Sequence, residues 1–319
     1  LHVINKCNLR CKTCFVDFDS YKSTDLTLEE IREISTYVDK LVWLDISGGE
    51  PFLRKDLPKI CGMFDTKSIS IPTNGFNAKL IYDSTTRIRE NTDAEFYIAM
   101  SIDGFEETND SIRAKGSFKR SIETLEKLKT IDGVRLKINT VLCEQNYDEI
   151  VDFMKYMKQY DPDFHSVIFL RGTSLDPTFR LPSYEKLVEI RPKIFDMWKS
   201  YNYGLGTFEK NALQNYQRYL YDYSLRVIKE KRQVPSCLAW KQHLVVYPEG
   251  DVAFCEMLPP FGSIRQMRLK DLMKSEKAEQ QRESIRKKMC HCTHNCNMVD
   301  NFFLNPVQYP KLLKDFWKQ

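Results

Sequence analysis

No run of about 18 consecutive apolar residues, the length a membrane-spanning helix needs, occurs in these 319 residues. No charged stretch leads into a short apolar one as in a secretory signal. Neither sign of charge dominates: 48 basic and 44 acidic residues leave +4. That balance is too even for the basic stripe of a nucleic-acid binder. Short runs such as Arg286-Lys287-Lys288 read as solvated helix faces. Internal repeats and low-complexity tracts are also absent. The expectation is a soluble, cytoplasmic protein with no membrane or nucleic-acid partner. Apolar residues make up 42% and aromatics 12%, enough for a sizeable core, and the length favours one large domain plus a smaller one.

The first half alternates. Short runs rich in Ile, Val and Phe lie at Leu1–Asn5, Val42–Ser47, Ser68–Pro72, Phe96–Ser101, Arg135–Leu142 and Ser166–Leu170, as buried parallel strands do. Helical patterns separate them. Thr27-Leu28-Glu29-Glu30 reads as a capping box, and Leu28, Ile31, Ile34 and Val38 mark one helical face. Six such units predict an α/β fold, a partial (β/α)6 barrel over 1–182, with chemistry at the carboxyl ends of its strands. Bridging helices are expected over 183–235. The tyrosines of 207–233 read as a packing face rather than a cleft lining. A hairpin is expected around Pro248-Glu249-Gly250-Asp251, within a cysteine-rich domain over 236–300, and a tail helix over 301–319.

Ten cysteines are present. Cys61 and Cys143 stand alone and read as small buried hydrophobes. The other eight fall in two groups, which in a cytosolic chain suggests metal rather than disulfides. The first is Cys7, Cys11 and Cys14, on the loop after the first strand-like run. Three thiolates there can hold three corners of a cubic cluster and leave one iron open to a small molecule. The alternative is structural zinc, which wants four ligands. Gly48-Gly49-Glu50-Pro51 follows the second strand-like run. Its glycines let backbone groups approach a ligand, and the Glu50 carboxylate accepts from an ammonium. The bland reading is a strand-to-helix turn. Ser101 and Asp103 close the fourth run, on one strand face or as a turn.

The Cys7-x-x-x-Cys11-x-x-Cys14 loop resembles the defining motif of the radical S-adenosylmethionine (SAM) superfamily, and Asn8-Leu9-Arg10 strengthens the likeness. The resemblance implies that the three cysteines hold a 4Fe–4S cluster that binds SAM. It implies that Gly48, Gly49, Glu50 and Pro51 hold SAM's amino group, that Ser101 and Asp103 contact its ribose and that Arg113 pairs its carboxylate. Phe15 stands near the position where relatives place an aromatic residue on the adenine; the motif position itself is Thr13. Asn74, Asn139 and Arg171 are further pocket candidates.

The second group is Cys237, Cys255, Cys290, Cys292 and Cys296. The cysteines flanking the hairpin, and Gly262-Ser263-Ile264-Arg265 after it, resemble the auxiliary-cluster extension called SPASM, or its shorter form Twitch. Five cysteines rather than seven imply one auxiliary 4Fe–4S cluster. A zinc knot of Cys290, Cys292, His294 and Cys296 is the rival. The resemblance as a whole implies reductive SAM cleavage to a 5′-deoxyadenosyl radical, which takes a hydrogen atom from a small-molecule substrate. A flavodoxin or ferredoxin would supply the electron. The alternatives are a ribosomal-peptide maturase, an iron–sulfur electron carrier and a zinc-stabilised binding module.

Overall fold

The computed structural model describes residues 1–16, 24–234 and 236–310, without the side chains of 295–297. Five parallel strands form the main sheet in chain order: β1 (Lys40–Asp45), β2 (Asp65–Thr73), β3 (Glu95–Ser101), β4 (Val134–Leu142) and β5 (Phe164–Phe169). Helices α1 (Leu28–Val38), α2 (Leu57–Cys61), α3 (Ala78–Arg89), α4 (Glu106–Ile112), α5 (Ser117–Leu128) and α6 (Ile150–Met157) run before and between them. Phe96, Ile98, Ile69, Ile71 and Ile138 are buried at 0% exposure. They form one core with Leu125, Leu128, Phe153 and Met154 of the flanking helices, the packing that covers a parallel sheet.

Five strands, not the expected six, make the regular sheet. Residues 1–6 run beside the exit of β1, with a single parallel bridge from His2 to Ser47. Two features interrupt their strand. The His2 amide donates the other way, to Val246, and Gly48 takes φ +141° at the point where pairing would continue. The expected capping box is present: Thr27 Oγ1 accepts from the Glu30 amide at 3.2 Å, and Glu30 Oε2 accepts from the Thr27 amide at 2.7 Å.

Beyond the sheet lie α7 (Tyr184–Ser200) and α8 (Thr207–Glu230), followed by the short α9 (Ala239–Gln242). A small antiparallel sheet joins β6 (Val245–Val246), β7 (Asp251–Ala253) and β8 (Gly262–Ser263). The sequence suggested only its first two strands, because Gly262–Ser263 carries no β-branched pattern. Two helices follow the small sheet, α10 (Leu269–Leu272) and α11 (Glu276–Arg286), with Ser275 capping the second. Helix α12 (Asn295–Phe303) packs on α8 through Tyr216, Tyr223, Met298 and Phe302. The expected tail helix over 301–319 begins instead with the end of α12 and a short 3-10 turn, Pro306–Gln308; positions 311–319 lie outside the described residues. Arg265, just after β8, pairs with Glu30 of α1 at 2.7 and 3.2 Å and so ties the small sheet to the first helix.

Candidate active site

The cysteine loop is anchored from three sides. Its first anchor is the Gly-Gly-Glu turn: the Gly49 amide donates to Ile4 at 2.8 Å and the Glu50 amide to Lys6 at 2.9 Å. A Cβ on Gly48 would stand 2.3 Å from the Ile4 carbonyl oxygen, and one on Gly49 2.3 Å from that of Lys6. The glycines therefore let the chain entering the loop lie against this turn; their nearest neighbour is backbone, not the open pocket. Asn74, at the end of β2, is the second anchor. Its Nδ2 donates to Asn8 at 2.8 Å and faces Cys7 Sγ at 3.8 Å. The third is α4, whose Ile112 carbonyl accepts from the Lys12 amide at 2.8 Å.

Cys7, Cys11 and Cys14 all line one pocket of about 230 Å³, together with Gly48, Gly49, Glu50, Asn74, Ser101, Arg113 and Asn139. No histidine or fourth cysteine is among the described residues that line it. Burial raises all three thiols above their ordinary range, Cys11 to about 11, while the Arg113 charge pulls Cys11 and Cys14 back. At neutral pH the free thiols hold their protons, so binding a metal here must release them.

Glu50 is buried at 3% exposure. One oxygen accepts from Thr73 Oγ1 at 2.9 Å and from the Phe52 amide, the other from the Asn74 amide at 2.8 Å. Burial raises its pKa to about 7 against those bonds. Three bonds leave a carboxylate with one acceptor direction unused, and Glu50 spends it on the pocket it lines. It both joins the ends of β1 and β2 and offers an acceptor beside the thiols.

Two expected ligand contacts are relocated. Asp103 does not line the pocket: it is wholly buried, accepts from the Val141 amide at 2.8 Å and pairs with Arg113 at 2.8 Å. Ser101, two residues earlier, does line the pocket, and the strand bends away after it. Arg113 in turn faces Cys11 Sγ at 3.8 Å. Burial opposes its charge, but the Asp103 carboxylate beside it favours the cation, and the guanidinium stays charged. Pro51 is also withdrawn, opening the 3-10 turn Pro51–Leu53 in the core. Phe15 lines the pocket beneath the Arg171 guanidinium, 5.2 Å from the ring centroid. Thr13 lines it as well.

A second cavity of about 500 Å³ shares Cys14, Phe15, Ser101, Asn139 and Arg171 with the first. It fills the inside of the curled sheet, between Trp43, Ser70, Ala99, Lys137 and Ser166 on the strands and Tyr216, Gln217 and Tyr221 on α8. The α8 tyrosines thus pack, as expected, and two also face the cavity. Sequence reasoning did not single out Lys137, although a lysine inside a run that reads as a doubly buried strand is a signal.

The second cysteine group is assembled from distant segments. Charges on Cys290 and Cys292 both act to raise Cys237, which burial raises to about 11. Cys255 is buried at the exit of β7; the Cys296 side chain lies outside the description. His294 Nε2 bonds Glu256 at 3.0 Å, and Glu256 also holds His2 at 2.8 Å. The other ring nitrogen of His294, Nδ1, is buried with no hydrogen-bond partner among the described residues. A carboxylate on the far nitrogen is usual for metal-bound histidines, so this contact does not exclude the zinc knot weighed above. Lone Cys61 and Cys143 are fully buried.

The family model described as "Radical SAM superfamily" matches residues 1–157, and the SPASM model, "Iron-sulfur cluster-binding domain", matches 237–297. The chain belongs to the radical SAM superfamily. It carries a SPASM domain, and with these come SAM, a 4Fe–4S cluster that binds it and auxiliary iron–sulfur chemistry. The thiol-lined pocket, with no fourth cysteine or histidine among the described residues that line it, fits the first cluster; Cys237 lies near enough to Cys290 and Cys292 for their charges to act on it, a partial donor set for a second.

Among curated relatives, the chain is 26% identical over 181 residues to the mycofactocin maturase MftC of Mycolicibacterium smegmatis, covering 54% of this chain and 43% of that one. It is 32% identical over 178 residues to an S-adenosylmethionine-dependent nucleotide dehydratase of a Fibrobacter species, covering 49% and 51%. The chain thus spans about half the length of these relatives. Its fold matches anSMEcpe solved with AdoMet and a Kp18Cys peptide, at TM-score 0.66 and 18% identity, covering 99% and 98%. Among the described residues, no helix is long and apolar enough to cross a membrane.

Proposed function

We propose that this radical SAM protein cleaves SAM reductively and takes a hydrogen atom from a small-molecule substrate, with one auxiliary 4Fe–4S cluster and a net oxidation or rearrangement. The observation that carries the reading is the shared pocket: three thiols and the Glu50 carboxylate line it, with no fourth cysteine or histidine among the described residues there. When bound, the reduced cluster and SAM supply a 5′-deoxyadenosyl radical, chemistry that belongs to the cofactor.

The chain's own residues do the rest. Cys7, Cys11 and Cys14 would hold the cluster; Cys237 and Cys255, with two of Cys290, Cys292 and Cys296, would hold the auxiliary one. Glu50 would accept from SAM's ammonium, Ser101 and Asn139 would engage the ribose, and Phe15 would lie against the adenine. Arg113 would meet the SAM carboxylate, oriented by Asp103 from behind. The adjoining cavity, of about 500 Å³, is within the usual range for small-molecule sites and keeps the substrate next to the SAM pocket and away from water. A flavodoxin or ferredoxin is the proposed donor.

A second reading, a peptide maturase, is favoured by the curated relative MftC and by the fold match, along nearly the whole of both chains, to anSMEcpe solved with a peptide. Anaerobic reconstitution with SAM and dithionite tests the first step. The expected product is 5′-deoxyadenosine, with deuterium appearing in it when a labelled substrate is supplied. Iron uptake without any 5′-deoxyadenosine would reject radical chemistry, and label arriving only from a peptide would select the second reading.

A further inference from the structure

We propose that the large cavity binds a carboxylic acid with an aromatic or apolar body, and that Lys137 holds its carboxylate. This deepens the small-molecule reading above and rests on it for the cavity's role.

Barrel interiors are ordinarily filled by bulky branched side chains. Here the lumen-facing position beside Lys137 on β3 is small, Ala99 in register with it, and Ser70 and Ser166 line the same space, while Phe164 is its neighbour on β5. That choice of residues makes the cavity. Lys137 lies two residues before Asn139, about 7 Å deeper along the strand at ordinary rise, so it sits below the SAM-facing layer rather than within it.

The charges in the cavity are unequal. Glu256 is already held between His2 and His294. Asp45 stands on β1, with two strands between it and β4. Lys137 is half-buried, its Nζ 5.8 Å from the Phe164 ring centroid. Among the described residues, Lys137 makes no ion pair. An ammonium kept half-buried without a carboxylate lacks the partner that normally compensates such burial. A substrate carboxylate supplies it. Trp43, Phe164, Tyr216 and Tyr221 give the remaining wall an aromatic character, which selects an apolar body over a sugar or a nucleoside phosphate.

The test is calorimetric titration of the cluster-loaded, SAM-bound protein, without reductant, using 4-phenylbutyrate and its neutral amide, 4-phenylbutyramide. The acid is expected to bind at least tenfold more tightly. Lys137→Gln should abolish that preference, Lys137→Arg should keep most of it, and all variants should be checked by thermal melting. Equal affinity for acid and amide, or a preference that survives Lys137→Gln in a folded protein, overturns the proposal. Wild-type protein that forms 5′-deoxyadenosine but does not distinguish acid from amide would sink this inference alone. Protein that distinguishes them but never cleaves SAM would sink the radical reading instead.

Discussion

The two cysteine groups reach the same kind of chemistry by opposite routes. The first draws its three thiols from eight consecutive residues, and three separate elements then clamp that loop. Its thiols are local in sequence, and what is distant is the support: Asn74 on Cys7, and Arg113 with Asp103 on Cys11. The second draws thiols from the entry of α9, the exit of β7 and the segment before α12. There the distant parts are the thiols themselves. A local site survives as a motif; a dispersed one depends on the whole fold around it.

This contrast can be broken by mutation. The largest effect is expected from Cys11→Ala, which should cut 5′-deoxyadenosine formation by at least about a thousandfold, roughly 4 kcal/mol of barrier. Cys237→Ala should leave that partial reaction within about tenfold of wild type, roughly 1.4 kcal/mol, while iron content falls. Equal losses in the two variants would mean that the groups form one site. A smaller loss is expected from Asp103→Asn, which weakens the hold on Arg113: about 10- to 100-fold in cluster affinity or turnover, as for partners of metal ligands generally. No change would make Asp103 a packing residue.

Glu50 offers a pH signature that the dispersed group does not share. Its folded pKa is raised by burial from 4.5 to about 7, so the folded state keeps a proton that the unfolded chain loses. In cluster-free protein, stability should therefore fall as pH rises from about 4.5 to about 7, at up to roughly 1.4 kcal/mol per unit. Glu50→Gln should flatten that slope, as read by denaturant unfolding at each pH. The smallest effect belongs to the α1 cap: Thr27→Ala should cost about 1 kcal/mol and leave both iron sites intact.

Much of this was legible in the residues. Alternating apolar runs located all five strands, and Thr27 with Glu30 announced the first helix start. The cysteine loop was readable because its three thiols fall within eight residues. What was hidden depended on the path of the chain. Asp103 reads as a pocket residue from its place after a strand, yet the backbone turns it inward to Arg113. The glycines of the Gly-Gly-Glu turn read as making room for a ligand; they line the pocket and also make room for residues 4–6. Lys137 went unremarked because strand periodicity alone does not say which face looks into the lumen.

The claim underlying the whole account is that the first cluster keeps an iron free of protein ligands. The direct measurement is electron paramagnetic resonance of the reduced Cys237→Ala protein with and without SAM. The account predicts that adding SAM changes the spectrum of the remaining cluster. An identical spectrum at saturating SAM, with iron fully loaded at Cys7, Cys11 and Cys14, would contradict it.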